Sequence, residues 1–375
     1  MKLSNPPLRL LLQFTAFFSA LSNLQAASED ELRALLSVAA EGRGNERASA
    51  AWKTLVSEGI PHLLPILRAT GEAGPVSNNW LRLAATAILD HALKAGHPIP
   101  IAKLEETIST PTLSANTRIL AFDLLKLAAP ERANLLEPTL LDDPVQELRR
   151  GAVQRLIDHG ATLSGEESKQ TFLKALHSVR DEDQTQTVVN ALDAVGQKVD
   201  LQKHFGFLSH WQILGPFHNS DRKGFDTVFS PETGLHLSEP AQGKDHEIHW
   251  QAFSSDDPWG KIDFNKPFGL LKEVTAYATT TFNTETERDA ELRLGCKNAW
   301  KIWLNGKLLF ARDEYHRGQR MDQYKLACHL QRGPNTILIK CCQNEQKETW
   351  TAEWEFQVRV CDSAGTAIAS AQKNP

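Results

Sequence analysis

The spacing of apolar residues along this chain changes period near residue 200. From about Ser28 to Gly196, leucine, isoleucine, valine and alanine recur three and four positions apart, which predicts amphipathic helices. NWLRLAATAILDHALKAG (79–96) runs to a glycine stop. SANTRILAFDLLKLAAP (114–130) opens at Ser114 and stops before Pro130, and DDPVQELRRGAVQRLIDHG (142–160) opens on Asp and Pro and is expected to end at Gly160. Each mark has a cause: a side-chain oxygen accepts from free N–H groups at a helix start, and glycine takes the left-handed backbone at a helix end.

These segments repeat. Arg82, Arg118 and Arg149 take matching positions, followed by Ala85, Ala121 and Ala152, then by Leu89, Leu125 and Leu156; Val188 and Leu192 continue the last two columns more weakly. A period of 31 to 36 residues implies one helix pair per unit, each burying its apolar face on the next. On that period, residues 28–199 resemble a short HEAT-type α-solenoid. The arginine column is expected to pair with acidic residues of the next unit rather than to line a surface.

Beyond Val199 apolar and polar residues alternate, as in half-buried strands. Ala290, Leu292 and Leu294 alternate with Glu291 and Arg293, Ile337 and Ile339 share a face, and Trp354, Phe356, Val358 and Val360 follow a period of two. HWQILGPF (210–217) predicts an opening strand that ends at Gly215-Pro216. EIHWQAF (247–253) predicts one strand within an otherwise irregular connection, 200–263, and residues 264–375 predict a β-sandwich; the domain as a whole covers about 204–363. The expected fold class is multidomain, α then β.

KIWLNGKLLF (301–310) is the clearest hairpin. Asn305-Gly306 suits a type I′ turn, which needs positive φ at both central residues. Trp303 then lies on the face opposite Ile302 and Leu304. In the second turn, RGPN, Gly333 supplies backbone freedom and Asn335 is placed to bond its own local backbone. The combination of Trp303, Leu304, Asn305, Gly306 and Lys307 with Leu330, Gly333, Asn335, Ile337 and Lys340 resembles the galactose-binding-like jelly-roll domain that accompanies many glycoside hydrolases. Together with WQILGPF, EYHRGQRMDQY and the helical half, the chain is similar to uncharacterised exported proteins of planctomycete-type bacteria. The resemblance implies a jelly-roll fold, shaped by these turn residues, and an envelope or extracellular location; it implies no activity.

Composition narrows the function classes. A net charge of −5 argues against a general nucleic-acid binder, which needs a basic surface. Lys2 and Arg9, the apolar run 10–21 and small residues at Ala26 and Ala27 follow the order of a secretory signal peptide, expected over 1–26. The run is short for a membrane span, and no later segment is long and apolar enough for one. Cys296, Cys328, Cys341, Cys342 and Cys361 lack paired zinc-type spacing. They read as small buried residues with room for one disulfide, and in a strand Cys341 and Cys342 point to opposite faces.

Candidate binding chemistry concentrates in ARDEYHRGQRMDQYK (311–325). Arg312, Asp313, Tyr315, His316, Arg317, Arg320, Asp322 and Tyr324 combine rings with planar charged groups, the means by which a loop holds a sugar or a peptide. The alternative is a solvated loop of mutual ion pairs. Trp350 and Trp354, four apart in a strand-like stretch, would share a face, as a stacking platform or as core. No GxSxG, HExxH or P-loop occurs, and Asp256-Asp257-Pro258 reads as a turn rather than a calcium site. No metal or cofactor is implied. The expectation is an exported, non-enzymatic binding or scaffold protein for a carbohydrate or an envelope protein. The alternatives are a purely structural scaffold and an accessory or degenerate glycoside-hydrolase-type protein.

Overall fold

The computed structural model describes residues 29–371; the expected signal peptide lies outside them. Helices come first and antiparallel sheets follow. The chain divides into two compact units between Ala152 and Val153.

The first unit carries α1 (residues 29–36), α2 (Asn45–Glu58), α3 (Leu63–Ala69), α4 (Pro75–Ala95), α5 (Ile101–Ser109), α6 (Ala115–Ala128) and α7 (Pro130–Leu136). Gly96 ends α4 in the left-handed region, and Ser114 caps α6 by accepting from the Thr117 N–H at 3.2 Å. Ala85, Ala121, Ala152, Leu89 and Leu125 are buried, whereas Leu156 is only half-buried and its neighbour Ile157 faces the core instead, and α4 packs against α2, α3 and α6. Two of the three arginines pair with acidic residues further along the chain, while Arg149 donates to the Asp143 carbonyl at 2.8 Å. Arg82 donates to Asp123 at 2.8 Å, and fully buried Arg118 donates to the Ile108 carbonyl at 2.8 Å and to Asp143 at 2.9 Å. Asp143 also accepts from the Val145 N–H, closing the turn before α8 (Gln146–Thr162). That helix runs through Gly160 instead of ending there.

The second unit holds α9 (Gly165–Ser178), α10 (Glu182–Ala194) and α11 (Leu201–Phe205), then β1 (His210–His218), α12 (Ser230–Thr233), β2 (Ala241–Gln242), β3 (Glu247–Ile248), β4 (Gln251–Ser254), β5 (Ile262–Asp263) and α13 (Asn265–Phe268). It closes with β6 (Val274–Thr284), β7 (Arg288–Cys296), β8 (Ala299–Leu304), β9 (Lys307–Arg312), β10 (Tyr324–Leu330), β11 (Gly333–Gln343) and β12 (Glu355–Cys361). A six-stranded sheet, β4-β1-β6-β11-β8-β9, faces a four-stranded sheet, β10-β7-β12-β5. Between them pack Ile302, Ile337, Ile339, Leu292, Leu294, Trp300, Phe356, Val358 and Val360. Two strand expectations change. β1 continues through Gly215-Pro216, with an irregular register between Leu214 and Phe217, because pairing with β6 resumes beyond the proline. The 247–253 stretch breaks at His249-Trp250 into β3 and β4, which join different sheets. The hairpin forms as read, with φ of 52° at Asn305 and 77° at Gly306.

The larger correction concerns the outward faces. Alternation predicts solvated polar residues there, yet Lys340, Tyr277, Arg293, Gln357 and Arg359 are buried. The segment after β1 covers the six-stranded sheet, where Trp303, Tyr277, Leu338 and Phe217 form a second apolar layer with Phe229 and Trp250. Beneath it the Lys340 ammonium donates to the carbonyls of Phe225 (3.0 Å) and Thr227 (2.7 Å) and to Glu232 (2.8 Å). Glu232 also accepts from the Tyr277 hydroxyl. On the four-stranded sheet Arg293 and Arg359, neighbours across β7 and β12, share Asp322 at 2.9 and 2.8 Å. Burial alone would raise the Asp322 pKa. Hydrogen bonds from Arg359 and Arg293 outweigh it and hold the carboxyl below its ordinary value.

The ion cluster makes a signed prediction. Stability from a depressed carboxyl is whole above its unfolded pKa, about 3.9, and drains away as pH falls through the lower folded value. Asp322→Asn should therefore lower the urea midpoint at neutral pH, by an amount corresponding to about 3–5 kcal/mol. The gap to the parent should narrow below about pH 4. A gap that widens on acidification would contradict the assignment.

Candidate functional site

Antiparallel pairing gathers one set of loops at one end of the sheets. β1 and β11 end there, β6 and β12 begin there, and β9 leads into β10 through 313–323. The loops after β1 (219–229), after β9 and after β11 (344–354) meet at that end.

Tyr315 and His316 hold the middle loop in place. The Tyr315 ring packs on Phe225, Ala299 and Cys342, and its hydroxyl accepts from Asn219 Nδ2 at 3.1 Å. Burial pushes that phenol well above its ordinary pKa. Asn219, itself fully buried, also donates to the Gln343 carbonyl at 2.8 Å. The Arg222 guanidinium lies 5.3 Å from the Tyr315 ring centre and donates from Nε to Glu345 at 3.1 Å. The Arg222 hydrogen bond holds the Glu345 carboxyl down at about 2.

His316 takes a positive φ of 57°. Its main-chain N–H reaches the Lys297 carbonyl at 2.6 Å, and its Nε2 lies 2.9 Å from Asn344 Oδ1, so Nε2 carries the proton. Burial lowers the imidazole pKa, with nearby Lys272, Lys297 and Arg222 acting in the same direction. The neutral ring meets the edge of Trp350 at 5.4 Å and 87°. Trp350, on a short 3₁₀ turn, is 54% exposed. Two buried polar atoms here have no protein partner, His316 Nδ1 and Asn219 Oδ1.

The other expected site residues separate from this cluster. Trp354 does not share a face with Trp350: it is buried against Phe264, with its indole N–H on the Cys341 carbonyl at 3.1 Å. Trp350 lies within the 349–351 turn and β12 begins only at Glu355, so the four-residue spacing has no strand geometry to act on. Tyr324 begins β10 and packs on Trp300 and Phe310. Arg312 and Arg317 both bind Glu314, at 2.6 and 3.0 Å. Asp313 is exposed near Asp226, Arg222 and Lys301, and its pKa is raised by partial burial and by Asp226. Asp322 is committed to the buried arginines. The Arg320 side chain is exposed, while its carbonyl crosses so close to Gly295 that a Cβ there would sit 2.5 Å away.

Sequence reading missed Asn219, Arg222, Asn344 and Glu345, which complete the cluster. They sit in HNSDRKGF and QNEQKETW, stretches with the composition of any surface loop. The one available signal was the Asn directly after each strand end, at 219 and 344. Among the described residues, no group of three or more His, Cys, Asp or Glu is placed to hold a metal. No helix among them is long and apolar enough to cross a membrane.

No known family profile matches this chain, and no curated protein does. Among solved structures, the GH31 α-xylosidase of Xanthomonas citri aligns over 41% of this chain and 17% of its own, with 7% identity and a TM-score of 0.22. A β-glucosidase from Kluyveromyces marxianus aligns over 78% of this chain and 37% of its own, at 10% identity and 0.25. The glucose complex of β-glucosidase from the same yeast gives 80%, 38%, 9% and 0.24. The chain spans well under half the length of each, and scores at this level carry no argument about fold or activity.

The two tryptophans should respond oppositely to truncation. Trp354→Ala is expected to cost about 3–5 kcal/mol in urea unfolding. Trp350→Ala should stay within about 0.5 kcal/mol of the parent. Equal losses would mean that Trp350 is part of the core.

Proposed function

We propose that this chain is an exported, non-catalytic binding protein. Its second unit is a galactose-binding-like jelly roll that takes neutral carbohydrate at the loop end carrying Trp350, and its helical half is a HEAT-like array. The reading rests on one observation: the Trp350 ring packs against His316 at 5.4 Å while more than half of its surface faces solvent. A sugar ring offers its C–H face to an indole and its hydroxyls to planar polar side chains, and Arg222 and Glu345 stand at the same end. Two carboxylates are poor general acids here, since Glu345 and Glu314 are both held ionised by arginine hydrogen bonds. The repeat arginines that reach the next unit, Arg82 to Asp123 and Arg118 to Asp143, support the solenoid reading.

A second reading, a scaffold that docks protein, draws on the helical unit. Leu83, Leu127 and Leu135 are 61%, 59% and 75% exposed.

Glycan-array binding by the full chain, followed by titration with tryptophan fluorescence, tests the proposal. A hit should be weakened at least about tenfold by Trp350→Ala, with the urea midpoint unchanged. Affinity indifferent to Trp350 would remove the assigned site. An array without hits, alongside capture of a protein ligand lost on Leu135→Glu, would favour the scaffold.

A further inference from the structure

We propose that Cys296 and Cys341 are a disulfide-forming pair that joins the two sheets. Cys296 ends β7 in the four-stranded sheet and Cys341 lies on β11 in the six-stranded one, so the pair spans the core. Both side chains point into the shared apolar layer and both are buried, at 2% and 0% exposure. Their sulfurs stand 3.9 Å apart. A disulfide needs about 2.05 Å, so closure asks for a rotation of the two thiols and a small approach of the strands.

Among the described residues, none of the other three cysteines has a second sulfur at such a distance. Cys342 alternates to the opposite face of β11, with its sulfur 3.3 Å from Thr275 Oγ1. Cys361 falls on the outward face of β12, one position beyond core residue Val360. Cys328 is half-buried on β10, paired across the strand with Ala290.

The chemistry balances with an oxidant that itself carries a disulfide. One cysteine thiolate attacks that disulfide and releases one of its sulfurs as a thiolate. The second cysteine thiolate then attacks the resulting mixed disulfide, the protein S–S bond forms, and the oxidant's other sulfur leaves as a thiolate, so both of its sulfurs end as thiols. The protein loses two protons, and two electrons pass to the oxidant. Burial raises the Cys341 thiol well above its ordinary pKa, so little thiolate exists once the core has closed. The bond therefore forms while the sheets are still assembling, when both thiols are open to the oxidant. An oxidising compartment in the cell rests on the export reading above; the pairing geometry does not.

The test starts from the full chain, unfolded and fully reduced, and refolds it in a mixture of reduced and oxidised glutathione. Thiols are then counted in denaturant, and peptides are mapped without reduction. The expected result is three reactive thiols of the five cysteines and one linked peptide pair containing Cys296 and Cys341. Cys328→Ala should keep the link and lose one thiol, whereas Cys296→Ala and Cys341→Ala should each abolish it. Reducing the linked protein should lower the Tm by about 10 °C. Five reactive thiols after refolding of folded, monomeric protein, or a link through another pair, would overturn the proposal. The same count on protein taken directly from expressing cells reports on export alone: a pair that links on refolding but stays reduced in cells supports the pairing and counts against export.

Discussion

The two packed sheets of the second unit bury cations on their outward faces, and a carboxylate from the segment covering each sheet meets them, with Glu291 of β7 as a second partner for Arg293. Lys340 is held by Glu232, and the Arg293–Arg359 pair by Asp322. A charge taken out of water costs several kcal/mol unless it is matched with good geometry, so the covering segments are obliged to lie where their carboxylates meet it. Two sheets packed face to face would otherwise leave long connections with little to fix them. Here the buried charge does the fixing, and the apolar layer of Trp303, Tyr277 and Phe217 fills in around it.

The same obligation positions the candidate site. The loop from 313 to 323 is tied at its far end by Asp322 and closer to β9 by Tyr315, through Asn219, and His316, through Asn344. Its middle is therefore a braced span, and Trp350 inherits its orientation from a histidine that cannot turn freely. Gly295 belongs to this arrangement, because only a residue without a side chain lets the Arg320 carbonyl pass over the sheet.

What sequence conveys here follows from how local each feature is. Helix ends at Ser114 and Gly96, the Asn305-Gly306 turn, and Asn335, which accepts from the Gln331 N–H at 2.9 Å, are decided within a few residues, and they were legible. Period two placed Phe356, Val358 and Val360 inward correctly. It could not tell that Arg359 and Lys340, on the other face, are also covered, because what covers them comes from about 40 to 115 positions away. Trp350 and Trp354 show the same limit: their spacing meant one face only if a strand ran through both, and Trp350 sits on a 3₁₀ turn while β12 begins after Trp354. Of the ten residues proposed for binding, Tyr315, His316 and Trp350 meet, while the partners that finish the cluster lie in two other loops. No single stretch contains that site.

Strand order also governs when the second unit can assemble. β12 lies between β7 and β5 and is the last strand among the described residues, and it carries Arg359 as well as the inward core residues Phe356, Val358 and Val360. Until it has been made, the four-stranded sheet lacks its link to β5, the core lacks a wall, and Asp322 lacks one of its two arginines. A chain emerging in order from the ribosome therefore has no route to a stable second unit from β1 to β11 alone. Nearly all of it must be synthesised before it can fold, which leaves the sheet-forming part of the chain open to chaperones or a translocation channel until β12 has been made.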